Sequence, residues 1–205
     1  MKEEFYQVKR EQKLYRTCWD IYPKILKKII IGKEEKILDA GCGNGELGKH
    51  LNIRELDGFD SDEQAVKEAQ KTGMYKRVIK SSIYNLPFDN KEFDKTICIE
   101  VLEYLKEPER AFRELMRVTK NEIIVSTANF NWYKLKAIFS KRWRNQYKNQ
   151  IALNETFINS RFLKNLAGKN LIKVKIFYMS NKMDSLRNLL GSWLAGEVGG
   201  VFKLK

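Results

Sequence analysis

The chain has 205 residues, 43% of them hydrophobic, which suits a single domain with a sizeable core. Its net charge of +13 favours anionic partners such as nucleic acid, acidic headgroups or phosphorylated substrates, or else marks a thermophile-like surface of ion-pair networks. No apolar run approaches the ~20 residues of a membrane span, the charged start Met1-Lys2-Glu3-Glu4 argues against a secretory signal, and three scattered cysteines (Cys18, Cys42, Cys98) with one histidine, His50, argue against a disulfide framework or a zinc site. A cytoplasmic location is the expectation.

In chain order, residues 1–31 read as a helical extension, because Tyr15, Cys18, Trp19, Tyr22, Ile25, Leu26 and Ile29 fall near helical spacing, with Pro23 as a break. Strand one ends over Ile37–Asp39, and a helix-like segment covers Glu46 to Leu51. Strand two is Leu56–Asp60. Ser61 followed by Gln64 has the capping-box spacing that starts a helix running to Gln70. Arg77–Lys80 is a short third strand, and Phe93–Ile99 is an apolar fourth. Pro108 is well placed as the first residue of a helix through Val118, with Ala111, Phe112, Leu115 and Met116 on one face. Ile123–Thr127 is strand five. A helix over Ser160–Ala167 ends at a Gly168 cap, and Ile172–Tyr178 and Val198–Leu204 are late strands. Strands that alternate with helices in this way predict an α/β, Rossmann-like, doubly wound and mostly parallel sheet.

The stretch after strand one is the most telling. Residues 37–47 read ILDAGCGNGEL, so an apolar run stops at Asp39 and feeds three glycines into a helix start. Glycine lets a backbone approach a ligand closely and take positive φ, and a helix N-terminus offers N–H groups to an anionic group. The spacing is Gly-x-Gly-x-Gly at Gly41, Gly43 and Gly45, which is neither the dinucleotide fingerprint nor a P-loop. An ordinary tight turn is the bland alternative. Asp60, at the end of strand two, can accept both hydroxyls of a ribose; that role also suits NAD, and a helix cap is the alternative.

Taken with GFD at 58–60 and the block NLPFDNKEFDKTICIEVLEYLKEPERAFRELMRV at 85–118, this loop resembles class I S-adenosylmethionine-dependent methyltransferases over about residues 36–127. The segment NFNWYKLKAIFSKRWRNQY at 129–147 is similar to the continuation of MetW-like proteins in the methyltransferase type 11 group, although ALNETFI stands downstream in place of the segment they carry. The resemblance implies a three-layer sandwich, one methyltransferase domain over 1–205, and a seven-stranded sheet in the order 3-2-1-4-5-7-6 with strand seven antiparallel. It implies S-adenosyl-L-methionine as cofactor and S-adenosyl-L-homocysteine as product. Asp39, Gly41, Gly43, Asn44, Gly45, Asp60 and Ser61 would then form the loop and ribose contacts. Ser82 and Ile83 stand where an acid and a small residue usually read adenine. Glu100, after strand four, lies at the mouth of the site and is the best-placed candidate base. Glu103 and Tyr104 stand where relatives often carry Glu-His, with a solvated helix start as the alternative for the two acids. His50 reads as a helix-terminal residue, Cys42 as a packed loop residue and Cys98 as core. Neither cysteine has the proline neighbour of a cytosine C5 nucleophile, and strand four lacks the Asn/Asp-Pro-Pro-aromatic ending of exocyclic amine methylation.

Residues 128–150 hold Lys134, Lys136, Lys141, Arg142, Arg144 and Lys148, no acid, and the aromatics Phe130, Trp132, Tyr133, Phe139, Trp143 and Tyr147. The expectation is a basic aromatic lid over 128–153 that covers a small-molecule acceptor. The alternatives are RNA or an acidic membrane surface as the anionic partner, or a non-catalytic cofactor-binding regulator of the MetW-like kind.

Overall fold

The computed structural model describes residues 35–153, 156, 158–166, 171–179 and 197–205. The helical reading of 1–31, Cys18 and the Gly168 cap lie outside them. The strands are β1 (Ile37–Ala40), β2 (Leu56–Asp60), β3 (Tyr75–Lys80), β4 (Phe93–Ile99), β5 (Thr119–Ala128), β6 (Leu171–Met179) and β7 (Glu197–Leu204). The helices are α1 (Glu46–Leu51), α2 (Glu63–Gln70), α3 (Pro108–Val118), α4 (Phe130–Phe139), α5 (Lys141–Leu153) and α6 (Ser160–Asn165), with a 3-10 turn at Leu102–Tyr104.

The strands form one sheet in the order β3-β2-β1-β4-β5-β7-β6. Pairs among β1 to β5 are parallel, while β7 runs antiparallel to both β5 and β6. A parallel sheet must be covered on both faces, and all four residues of β1 are buried. One face packs Leu38, Phe59, Phe93, Ile123 and Phe202 against Phe112 and Leu115 of α3 and Leu163 of α6. The other face packs Ile37, Ile97 and Ile124 against Leu47 and Leu51 of α1. Each fully buried Phe or Leu here contributes about 1.5–3 kcal/mol, and the rings interlock: Phe88 meets Phe93 edge-on at 5.0 Å, and Phe112 meets Phe202 at 4.7 Å.

Three local expectations change. The cap of α2 is Asp62, whose carboxylate accepts the Ala65 N–H at 2.7 Å; Ser61 is exposed, and Gln64 turns instead to Glu68. The start of β5 reaches back to Thr119 because Thr119 pairs with Phe93 and shares a buried hydroxyl contact of 2.6 Å with Thr96. Finally, β3 begins at Tyr75, paired with Leu56 across a bulge.

The block from Leu86 to Arg117 is held by one side chain. The Arg117 guanidinium donates to the carbonyls of Leu86 and Phe88, to the Asn90 side chain and to Glu114, at 2.7–2.9 Å. Glu114 in turn accepts the Leu86 N–H at 2.8 Å. Arg117 is therefore a structural clamp on the LPF segment, anchored where Phe88 enters the core.

Candidate functional site

The C-terminal ends of β1, β2 and β4 converge on the glycine loop. The Gly41 and Cys42 N–H groups both donate to the Phe59 carbonyl at 2.9 Å, which stitches the loop to β2. The three glycines all have positive φ, at 73°, 51° and 83°, but for different reasons. A Cβ on Gly41 would lie 2.5 Å from Val101, and one on Gly45 would press on Thr72, Tyr75 and Ala69 at 3.0–3.2 Å. A Cβ on Gly43 would meet nothing within 4 Å. Gly41 and Gly45 are thus required by packing, while Gly43 leaves an open cradle. Asn44 sits half-buried beside it.

Two buried acids flank this cradle. Asp60 accepts the Gly43 N–H and the Asp62 N–H, each at 2.9 Å, so it sets the loop and the entry to α2 together. Asp39 is 3% exposed and accepts the Tyr75 hydroxyl at 2.6 Å. Tyr75 reaches it because Gly58, opposite Asp39 in the sheet, has no side chain, and because Gly45 and Gly48 leave room for the ring. Burial pushes the Asp39 carboxyl up to about 7; the Tyr75 hydrogen bond opposes that rise and the nearby Asp60 charge adds to it. Burial and the same two acids push the Cys42 thiol up as well, which makes it an unreactive packing residue.

Glu100 follows β4 with φ 51°, a strained conformation for a non-glycine, held by its N–H donating to the Ser126 carbonyl at 2.9 Å. Ser82 is exposed, and its hydroxyl accepts the Tyr84 N–H at 3.3 Å. Ile83 buries its side chain in the main core. His50 lies in the last turn of α1, 2.9 Å from the Glu46 carbonyl and distant from this edge. Glu103 is not solvated: it is 1% exposed, its carboxylate takes the Ala128 N–H, and its carbonyl takes the Thr156 N–H. It ties the 3-10 turn to the end of β5. Tyr75 and the buried hydroxyl of Thr127, at the end of β5, were not among the residues expected from sequence. No apolar period or motif marks either; only the register across Gly58 brings Tyr75 in.

Beyond β5, α4 and α5 form a hairpin. Phe130 packs on Tyr147 at 5.1 Å and Tyr133 on Trp143 at 6.1 Å, while the Lys136 ammonium sits between Trp132 and Trp143 at 4.2 and 4.1 Å. The aromatics expected to cover an acceptor are thus engaged with one another across the hairpin. A cavity of about 320 Å³ lined by Glu35, Lys95, Glu122 and Lys203 lies at the opposite edge of the sheet. It is walled by ion pairs rather than by the loop residues. Among the described residues no cluster of potential metal ligands occurs, and no helix is long and apolar enough to cross a membrane.

Residues 38–125 match the family model described as "Methyltransferase domain". An uncharacterised protein of Methanocaldococcus jannaschii is 34% identical over 152 residues, which cover 71% of this chain and 58% of that protein, so the chain spans little more than half the length of this relative. Among solved structures, a Thermotoga maritima S-adenosylmethionine-dependent methyltransferase, described as a possible histamine N-methyltransferase, superimposes with a TM-score of 0.74 at 20% identity, covering 98% of this chain and 96% of that one. Magnesium protoporphyrin IX methyltransferase of Synechocystis, with bound S-adenosylmethionine, gives 0.58 at 18% identity over 88% and 74%.

Proposed function

Residues 38–125 are a methyltransferase domain on the class I S-adenosylmethionine-dependent methyltransferase fold, and from that premise we propose that the chain transfers a methyl group from S-adenosylmethionine to a small-molecule acceptor. The observation that carries this reading is the pairing of an open, positive-φ Gly43 with two buried acids, Asp39 and Asp60, at the ends of neighbouring strands. A cationic ligand that also bears a ribose diol matches that donor set. Asp60 accepts the Gly43 and Asp62 N–H groups, and a carboxylate at the end of β2 is the group that suits the two hydroxyls of a ribose. Asp39 supplies negative charge where an ammonium or sulfonium gains most from it. Gly41, Gly43, Asn44 and Gly45 would give the close backbone approach, Ser61 with Asp60 would hold the ribose, and Ser82 and the backbone of Ile83 would meet the adenine.

When bound, the cofactor supplies a methyl group on a sulfonium, already activated for in-line displacement. The protein's part is then mostly alignment, which can be worth several kcal/mol. The strained backbone of Glu100 holds its carboxylate at the β4 exit, where it can take a proton from an acceptor that has one to lose.

RNA as the acceptor is the second reading: the hairpin's cations suit phosphates and Phe139 offers an exposed ring, while Phe130, Tyr133, Trp143 and Tyr147 are engaged with one another in tilted pairs. A purely regulatory cofactor-binding role predicts binding without turnover. Calorimetric titration with S-adenosylmethionine, S-adenosylhomocysteine and NAD tests the premise. The expected result is binding of the first two by wild type and a loss of at least tenfold in Asp60→Ala; NAD binding instead would overturn it. Formation of S-adenosylhomocysteine with small amine, phenol and carboxylate acceptors then tests turnover, and methylation of RNA alone would overturn the small-acceptor reading.

A further inference from the structure

The outer surface of the α4–α5 hairpin combines two features that usually exclude each other. At its tip, Ile138 and Phe139 are 68% and 79% exposed, the two largest apolar exposures among the described residues. They immediately precede the elbow at Ser140. The exposed charged residues of the hairpin are all cations. Lys134 lies one turn before Ile138 on α4, and Lys141, Arg144 and Lys148 follow on α5 at a spacing that puts them on one face. All four are exposed, and residues 128–153 contain no acid.

The interior of the hairpin, in contrast, is closed. Its rings pair across the two helices, and Lys136 sits between two indoles rather than in the solvent cation set. What the hairpin presents outward is therefore an apolar tip on a pair of helices whose exposed charges are all lysine and arginine. Such a tip is costly to leave in water. The chemistry that satisfies both parts at once is an anionic lipid surface, where apolar side chains enter the acyl boundary and cations meet headgroup phosphates. A nucleic acid would satisfy the cations and can stack a base on Phe139, but it offers no apolar medium for Ile138.

We propose that the α4–α5 hairpin docks the protein reversibly on anionic bilayers, inserting Ile138 and Phe139 while Lys134, Lys141, Arg144 and Lys148 contact the headgroups. This does not depend on the methyl-transfer reading, although a protein anchored there would meet acceptors that partition into the interface. The hairpin follows directly from β5 at the C-terminal edge of the sheet, the same edge as the glycine loop, so docking would hold the cofactor side near the lipid.

The test is sedimentation of the full chain with vesicles of phosphatidylcholine alone and of phosphatidylcholine mixed with phosphatidylglycerol. Wild type is expected to pellet with the mixed vesicles, weakly or not at all with the neutral ones, and less as salt rises. The double variant Ile138→Ser, Phe139→Ser should lose about a hundredfold or more in vesicle affinity, as the apolar contribution of two side chains predicts, and keep its circular dichroism spectrum and melting temperature, since both residues are exposed. A triple Gln variant at Lys141, Arg144 and Lys148 should lose roughly a hundredfold. Any of the following would overturn the proposal: no pelleting with either vesicle, pelleting unchanged in the Ser variant, or competition by single-stranded RNA that the Ser variant does not affect. Loss of a wild-type dimer in the Ser variant, seen by light scattering without vesicle binding, would assign the tip to a second copy of the chain instead.

Discussion

The glycine loop and the α4–α5 hairpin lie beyond the same edge of one sheet and are built on opposite terms. In the loop, charge is buried: Asp39 and Asp60 are within the sheet, and their oxygens accept defined N–H and O–H groups at 2.6–2.9 Å. In the hairpin, charge is outside and the interior is aromatic. Buried carboxylates cost stability unless hydrogen bonds hold them, so they persist where a ligand needs their field. Exposed cations cost little and contribute little to stability, so their arrangement reflects what they meet. The donor side of the site is thus specified by geometry and the outer side by surface chemistry.

The sharpest way to break this contrast lies inside the loop. Gly41→Ala should destabilise the fold by about 3 kcal/mol, since it combines positive-φ strain with a 2.5 Å clash on Val101; a thermal melt indistinguishable from wild type would remove the packing account of that glycine. Arg117→Ala should cost about 2–3 kcal/mol by denaturant unfolding, because it strands Glu114 and two carbonyls. It should do so without a direct effect on cofactor affinity, which separates the clamp from the chemistry.

The pH dependence of Asp39 tests the buried-charge side. Burial raises its folded pKa to about 7, above the ordinary carboxylate range, so between about 4 and 7 the folded state holds a proton that the unfolded state has lost. Its contribution therefore makes stability fall as pH rises from about 4 through about 7, by a few kcal/mol at most. Asp39→Asn should flatten that part of the stability profile measured by chemical denaturation. Conversely, affinity for the cationic cofactor should rise with pH through about 7 in wild type and not in Asp39→Asn. A flat wild-type profile would place the Asp39 charge outside the ligand's field.

A smaller effect distinguishes the cradle. Gly43→Ala should cost only about 1 kcal/mol of stability, from φ alone, yet lower cofactor affinity by more than tenfold, because its Cβ points into open space that the ligand needs. Calorimetry and a melt on the same sample check both halves. The smallest expected effect is on the hairpin: Trp143→Ala removes the ring that meets Tyr133 and Lys136. It should shift global melting little, while hydrogen exchange speeds up in 130–153.

Much of this architecture is legible in the linear chain. Strands β2 and β4 and the Pro108 start of α3 are local signals that reappear with the expected bounds, while β1 runs one residue past the expected end, to Ala40. The glycine spacing and the acid ending β2 are local in the same sense. The missed features depend on neighbours distant in sequence. Thr119–Glu122 lacks a strand's apolar pattern, but pairing with β4 and β7 makes it one. Ser61 and Asp62 are equally good caps by type, and only the exit angle of β2, fixed by Asp60 accepting the Asp62 N–H, selects the second. Glu103 looks like the start of a solvated helix until the end of β5 and Thr156 close over it.

By itself, then, the sequence determined the sheet, its order through the family resemblance, and the glycine loop proposed to take the methyl donor, because those depend on short-range steric and hydrophobic patterns. The tertiary structure decided that Gly43 is the open one of the three loop glycines, that Tyr75 holds Asp39, and that Phe130 pairs with Tyr147 and Tyr133 with Trp143 across the hairpin. Each of these is a contact between residues that no period in the chain connects, made possible only where one side chain, as at Gly58, is absent and another crosses the gap.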